Sequence, residues 1–205
     1  MPDPTPKSFF LDRTEATPEA DEGQEAQLTL EKGGAFLKLI EVPPLKDEIE
    51  ALGTKWKLKP EFHVTMVGFA SKLDKKYKEA EAAAGRKVSN ADAAVAVEAA
   101  LKKAGDGMQF RVRFTPETRR VVKEAGVTET VIKMCDVEGI EEYLGRVETE
   151  LGLPVGSIER PPTHTTVYTL ENGQGIGIPN ATRLEEMSKI LSPEELTELR
   201  EASQI

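Results

Sequence analysis

The feature that most constrains this chain is a short β-type pattern that occurs twice and contains its only two histidines. The first copy is Phe62-His63-Val64-Thr65-Met66 and the second is Thr163-His164-Thr165-Thr166-Val167. Each holds a histidine, one spacer and a threonine in an apolar, β-branched segment, which predicts a strand. Because residues two apart in a strand point to the same face, each imidazole is expected beside a hydroxyl. Two such pairs facing one another would form a symmetric site for a phosphate.

Helices and strands around the two motifs follow a similar order in each half of the chain. Apolar patterns at residues 27–30 and 36–40 predict a hairpin, and residues 45–52 predict a short helix that ends at Gly53. Strict alternation at residues 108–114 predicts a half-buried strand. The other predicted elements are helices at residues 72–84, 91–104, 137–151, 184–191 and 193–202, and strands at residues 119–123 and 129–136.

This order of elements predicts an α+β fold with two lobes related by a pseudo-twofold axis. Each lobe would contribute an antiparallel sheet to a central cleft, with the helices outside. We place this bilobal domain at residues 26–205, with the lobe boundary near residues 115–120. Residues 1–25 are rich in Pro, Glu and Thr and predict a flexible N-terminal arm, although the apolar residues 9–11 could dock on the domain.

Composition narrows the classes of partner. The net charge of −9 disfavours broad, nonspecific binding to a polyanion, while leaving room for a local basic pocket. Cys135 is the only cysteine, which excludes an intrachain disulfide and a thiolate metal cluster. No apolar stretch approaches the roughly 20 residues that span a bilayer, and the N-terminus lacks the features of a signal peptide. We therefore expect a cytoplasmic protein that has no membrane partner. We also expect a monomer, although the sequence itself does not reveal the oligomeric state.

The two motifs, in this order of elements, resemble those of the two-histidine (2H) phosphoesterase superfamily. That family includes the bacterial RNA 2′,3′-cyclic phosphodiesterases first described as LigT-like RNA ligases, and it carries apolar-His-x-Thr-apolar once in each lobe. The departures are mild. Thr163 stands where an apolar residue is usual, and Met66 and Val167 stand where many relatives have leucine. Outside the motifs, the resemblance is one of element order over roughly residues 36–170.

The resemblance implies a hydrolase that opens a cyclic phosphodiester, such as the 2′,3′-cyclic phosphate of a nucleotide or a short RNA. It implies that His63 and His164 are the general acid and base, and that Thr65 and Thr166 hold the phosphate. One histidine would be neutral and the other protonated, on opposite sides of phosphorus. No metal or cofactor is required. Which histidine is the base depends on which ribose oxygen leaves, and the sequence leaves this open.

Several further residues are candidates for the pocket. Tyr168 lies two residues after Thr166 and is expected on the same strand face. Trp56 could stack on a nucleobase and Arg160 could pair with a phosphate, although core packing and solvated charge are the ordinary roles of such residues. The glycine-rich stretch at residues 173–177 does not connect a strand to a helix as phosphate-binding loops do, and it predicts a flexible turn.

Two other functions stay open at this stage. The same fold could be a module that binds a nucleotide or a protein without turnover, using the histidines only to grip phosphate. The histidines could instead bind a metal ion, but no third and fourth ligands are evident close to either motif.

Overall fold

The computed structural model describes residues 10, 23–31, 33–40, 42, 44–68, 72–124, 127–170, 173 and 175–204. Within this part of the chain, nine strands and five helices are formed. In chain order they are β1 (Gln24–Glu31), β2 (Gly34–Leu39), β3 (Glu48–Ala51), β4 (Thr54–Leu58), β5 (His63–Val67), α1 (Leu73–Ala83), α2 (Asn90–Gly105), β6 (Phe110–Glu124), β7 (Thr128–Glu138), α3 (Ile140–Glu150), β8 (His164–Thr169), α4 (Ala181–Met187), β9 (Ser188–Ile190) and α5 (Pro193–Ser203).

The strands form one antiparallel sheet that partly closes into a ring. Six strands follow one another in the order β8-β5-β2-β1-β6-β7. The last of them, β7, pairs with the first, β8, and this pairing closes the ring. The hairpin β3–β4 joins the ring through β8, and the short β9 pairs with β6. The predicted α+β class, with antiparallel strands and helices outside, is therefore confirmed.

Equivalent strands from the two halves of the chain occupy equivalent places in the ring. β5, β2 and β1 come from the first half, and β8, β7 and β6 come from the second. The two sets meet at β5–β8 on one side of the ring and at β1–β6 on the other. The predicted boundary at residues 115–120 falls within β6, where the pairing with β7 shifts register between Phe114 and Thr118.

Helices α1, α2 and α3 pack beside each other outside the sheet. α2 contacts both α1 and α3, and the Tyr143 hydroxyl of α3 donates to the Leu101 carbonyl of α2 at 3.1 Å.

Phe10, in the segment predicted as an arm, is 1% exposed and belongs to the same hydrophobic core as the buried residues of α2 and α3. β1 begins at Gln24, inside the segment predicted as an arm, and the rest of that arm apart from Phe10 and Gly23 lies outside the described residues. None of the described helices is both long and apolar enough to cross a membrane.

The predicted helix at residues 45–52 is wrong, because this segment forms the first strand of a hairpin. Side chains of β3 alternate between exposed and buried, as a half-buried strand requires. Ala51 pairs with Thr54, so Leu52 and Gly53 form a two-residue turn with φ values of 56° and 71°. Positive φ at both central residues defines the type I′ hairpin turn. Gly53 therefore connects two strands and does not end a helix.

Two other predicted boundaries change in the structure. The strands predicted at residues 108–114 and 119–123 are parts of one long strand, β6. The helix predicted at residues 184–191 begins and ends earlier, as α4, and the chain then extends into β9. Ser192 caps α5 as predicted, and it forms a capping box with Glu195.

Lys133 is a charged residue buried in the sheet, with 2% of its surface exposed. Its Nζ donates to the Pro116 carbonyl at 3.2 Å and to Thr118 Oγ1 at 3.3 Å, and both acceptors are neutral. Burial lowers the pKa of Lys133 to about 8, because the charged amine loses its hydration. The folded chain therefore binds this proton more weakly than the unfolded chain does.

We expect Lys133 to make the stability of the protein depend on pH in the alkaline range. Between about pH 8 and 10.5 the unfolded chain keeps the proton and the folded chain releases it, so the free energy of unfolding gains about 1.4 kcal/mol per pH unit. The Lys133→Met variant lacks this contribution. Denaturant titrations of both proteins across this window measure the difference, and parallel pH profiles would contradict the assignment.

Candidate active site

The two motif strands lie next to each other, and their register gathers all four motif side chains. β5 and β8 are antiparallel, with Val64 opposite Thr165. This register places His63 across from Thr166 and Thr65 across from His164. Val64 and Thr165 are fully buried on one face of the pair, whereas the four motif residues are half-buried on the other face. As predicted, the histidine and the threonine of each motif share a face. Across the two strands, His63, Thr65, His164 and Thr166 therefore form a quartet on that face.

A β-bulge follows each motif at the same position. In β5, Thr65 pairs with Phe36 and Val67 pairs with Ala35, so Met66 is an extra residue. In β8, Thr166 pairs with Ile132 and Tyr168 pairs with Val131, so Val167 is an extra residue. Each bulge comes immediately after the motif threonine. Bulges re-aim side chains next to functional sites, and this repetition gives the quartet a local twofold symmetry.

The quartet lies in a cleft of about 690 Å³, a volume within the range of small-molecule sites. All four motif residues line this cleft, and Phe36 of the neighbouring strand β2 lines it beside them. The two histidines are diagonal neighbours in the antiparallel pair, about 7–8 Å apart at the backbone. The two threonines form the other diagonal. One tetrahedral anion can therefore lie between the imidazoles and accept hydrogen bonds from both hydroxyls.

A backbone hydrogen bond fixes the tautomer of His164. Its Nδ1 lies 2.6 Å from the carbonyl oxygen of Pro162. Because a carbonyl only accepts, Nδ1 carries the hydrogen and Nε2 is left for proton exchange with a ligand. Burial lowers the pKa of His164, the Pro162 carbonyl opposes this shift, and the nearby His63 lowers the pKa further.

The environment of His63 also favours its neutral form. Burial is the main cause that lowers the pKa of His63, and the positive charge of Lys59 adds to it. The carboxylates of Glu61 and Glu31 act in the opposite direction. The Phe36 ring meets the imidazole edge to face, with 5.3 Å between centroids and 76° between planes. This contact restricts the imidazole on the side of β2.

The hydroxyls of the two motif threonines are unused within the described part of the chain. Among the described residues, no hydrogen-bond partner is found for the hydroxyl of Thr65 or of Thr166. The two hydroxyls are therefore available as donors to a ligand in the cleft.

The structure places the three additional predicted pocket residues away from this cleft. The bulge at Val167 breaks the two-residue alternation, so Tyr168 turns to the opposite face from Thr166, is fully buried and donates to the Lys46 carbonyl at 3.2 Å. Trp56 is 1% exposed and its Nε1 donates to the Ala51 carbonyl at 2.9 Å. Arg160 pairs with Glu141 and lines a separate cavity. The first two are core residues and the third is a surface cation.

Sequence reasoning missed the basic side of the cleft. Four of the described lysines line it: Lys59 after β4, and Lys72, Lys75 and Lys76 at the beginning of α1. The spacing of the last three, at i, i+3 and i+4, places them on one face of a helix and was the available signal. The glycine-rich loop predicted as a flexible turn also contributes, because Gly175 and Gly177 line the cleft and a Cβ on Gly175 would lie 3.8 Å from Thr166 Oγ1.

The described residues offer few protein ligands for a metal ion. No group of three or more His, Cys, Asp or Glu side chains is clustered among them in a way that could hold one. His63 and His164 are therefore without a third ligand of these types in the described part of the chain, whereas zinc sites in proteins use three or four.

Comparisons with known proteins give no match: no family model, curated protein or solved structure matches this chain. The chemical interpretation of the cleft therefore depends on the residues of this chain and on their geometry.

Proposed function

We propose that this protein is a metal-independent phosphodiesterase that hydrolyses a cyclic phosphodiester, with the 2′,3′-cyclic phosphate of a nucleotide or short RNA as the substrate. The observation that supports this most is the quartet of His63, Thr65, His164 and Thr166 on one face of two adjacent strands, in one cleft. It supplies two proton-transfer groups and two neutral donors around a space that fits one phosphate.

The proposed reaction is a single in-line displacement at phosphorus. One imidazole, in its neutral form, takes a proton from the attacking water as the new P–O bond forms. The other imidazole, in its protonated form, gives its proton to the ribose oxygen as the old P–O bond breaks. The threonine hydroxyls donate to the nonbridging oxygens while charge develops there. The product is a ribose 2′- or 3′-phosphate monoester, and its identity assigns the leaving oxygen.

The charge of the cleft supports an anionic substrate. Its described lining residues include four lysines and two glutamates, which leaves a surplus of two positive charges with both histidines neutral. The chain as a whole carries a net charge of −9. A positive cleft on a negative protein attracts small anions locally while the rest of the surface repels long polyanions.

The test is turnover by the purified protein in the presence of a chelator. The four nucleoside 2′,3′-cyclic monophosphates and a short RNA with a cyclic phosphate end are incubated with it, and products are resolved by chromatography. We expect a single monophosphate isomer from each substrate that is turned over. Tight binding without product would favour the binding module, and activity that the chelator abolishes and zinc restores would favour a metal site.

We expect kcat/KM to depend on pH as a bell with its maximum below pH 6.5, the ordinary pKa of histidine. The active form has one protonated and one neutral histidine, and both pKa values are lowered. Activity therefore falls as the pH rises above both values, and it falls again at acid pH when both imidazoles are protonated. A flat profile between pH 5 and 8, with chemistry shown to limit the rate, would contradict the proposal.

A variant that removes one positive charge shows which limb of the bell-shaped pH profile belongs to His63. Since Lys59 lowers the pKa of His63, the Lys59→Gln variant is expected to move one limb to higher pH. Lys57→Gln is the matched control, because Lys57 is exposed on β4, pairs with Glu48 and does not line the cleft. Equal profiles for the two variants would show that neither limb belongs to His63.

The lone cysteine, Cys135, is buried and fits a reducing compartment. A cytoplasmic, monomeric protein remains our expectation. Light scattering of the purified protein measures its oligomeric state.

A further inference from the structure

The proposed reaction does not use the lysine cluster, Lys72, Lys75 and Lys76, which lines the same cleft as the quartet. β5 ends at Val67, two residues after Thr65, and Val67 and Gly68 line the same cleft as the lysine cluster. The cluster therefore lies beyond the end of the quartet that Thr65 and His164 occupy. A substrate whose reacting phosphate lies between the histidines would present its next group to these lysines.

Within the part of the chain that the structure describes, most of the positive charge in the lysine cluster is not neutralised. Lys76 Nζ donates to the Ser157 carbonyl at 2.7 Å, which satisfies a hydrogen bond but leaves the charge uncompensated. Lys75 lies 3.6 Å from Glu79 in an exposed i,i+4 pair, which is a weak interaction. Lys72 has no hydrogen-bond or ion-pair partner among the described residues. The cluster is thus ready to pair with an anion.

The position of the cluster is unfavourable for the helix that carries it. Positive charges in the first turn oppose the helix dipole. Lys72 also has φ 52° and ψ 42°, a left-handed conformation that is costly for a lysine, and its side chain does not cap the helix. Asp74 is the one acidic residue in this turn. Helix stability therefore does not explain why lysines occupy these positions.

From these observations we propose that Lys72, Lys75 and Lys76 bind a second phosphate of the substrate. This proposal rests on the proposed function, which places the cyclic phosphate between the histidines. The substrate class it predicts is a nucleoside 2′,3′-cyclic phosphate that carries a further phosphate on its 5′-oxygen. That phosphate is either a terminal monoester or the internucleotide diester of an oligonucleotide, and both present anionic nonbridging oxygens to the ammonium groups.

The experiment compares three substrates that share one base: the nucleoside 2′,3′-cyclic phosphate, its 5′-phosphorylated form, and the dinucleotide that ends in the same cyclic phosphate. We expect kcat/KM to be roughly 10- to 100-fold higher for the substrates with a second phosphate, and this preference to shrink as salt is added. A gain from the 5′-phosphate alone identifies a terminal monoester as sufficient. A gain restricted to the dinucleotide identifies the internucleotide diester.

Variants separate binding by the lysine cluster from a general effect of charge. The triple variant Lys72→Gln/Lys75→Gln/Lys76→Gln is expected to lose the preference for a second phosphate. The control triple variant Lys57→Gln/Lys78→Gln/Lys102→Gln removes the same charge from positions that do not line the cleft, and it should keep the preference. An equal preference in both triple variants, or none in the wild type, would overturn the proposal.

A binding measurement tests the second phosphate site separately from the proposed hydrolysis. Calorimetry compares a nucleoside 3′,5′-bisphosphate with the 3′-monophosphate, and it needs no turnover. Tighter binding of the bisphosphate that only the cluster variant loses would support the second phosphate site even where the hydrolysis proposal fails. Equal binding of the two ligands would overturn the site.

Thermal unfolding of Lys72→Asn measures what the left-handed conformation of Lys72 costs in stability. Asparagine tolerates positive φ better than lysine, so we expect this variant to unfold at an equal or higher temperature than the wild type.

Discussion

Replacing either His63 or His164 with alanine is expected to lower kcat/KM for a nucleoside 2′,3′-cyclic phosphate by about 10²–10⁴-fold. Each variant removes one proton transfer from the same displacement, so neither imidazole can substitute for the other. The double variant is expected to lose little beyond the more damaged single variant, because residues that act as a unit are far from additive. Single-turnover kinetics of the three variants measure this.

The two histidines also provide their own control for correct folding. Because the chain has only two, an NMR spectrum of the imidazole groups contains two sets of signals, and each variant should lose one set. The remaining histidine reports its pKa directly, and both pKa values should lie below 6.5 in the wild type. Loss of activity in a variant that unfolds at a much lower temperature would not count, whereas activity within threefold of the wild type in a folded variant would contradict the assignment.

Local patterns in the sequence were sufficient to predict the motif strands and which motif side chains share a face. Both inferences use only the two-residue period of a strand, and both hold for His63 with Thr65 and for His164 with Thr166. The adjacency of β5 and β8 is a different kind of fact, because it depends on pairing between segments far apart in the chain. The sequence supported it only through the resemblance to a bilobal family.

The errors arose where one residue changes the geometry. Val167 is extra in β8, and this single bulge turns Tyr168 from the cleft face to the core. Leu52 adopts a positive φ beside Gly53, which makes a hairpin turn from a sequence that also suits the end of a helix. A bulge depends on the partner strand, and a leucine at positive φ is uncommon. Local propensity therefore predicted neither.

The basic side of the cleft could not be predicted because it is assembled from separate elements. Lys59 follows β4, whereas Lys72, Lys75 and Lys76 begin α1. In the sequence these residues are ordinary solvated charges in a chain that is acidic overall. Only the folded chain brings these four lysines to the cleft that the histidines line.

Replacing Thr65 or Thr166 with valine is expected to lower kcat by about 10²–10³-fold in each variant, with a much smaller change in KM. Valine keeps the shape of threonine and removes the hydroxyl, so the loss measures the donor to the nonbridging oxygen. That donor matters most when negative charge develops in the transition state, and its removal therefore affects kcat more than substrate binding.

Thr165→Val is the matched control for this prediction. Thr165 lies in the same motif, one residue before Thr166, but it faces the core and is fully buried, and its hydroxyl has no partner among the described residues. Removing a buried, unpaired hydroxyl with an isosteric side chain is neutral or stabilising. We therefore expect Thr165→Val to keep wild-type kcat and to unfold at an equal or higher temperature.

Equal losses of kcat in Thr165→Val and Thr166→Val would mean that packing of β8, and not a hydroxyl that donates to the phosphate, determines the rate. Loss in Thr65→Val and Thr166→Val alone would leave the twofold arrangement of donors as the explanation.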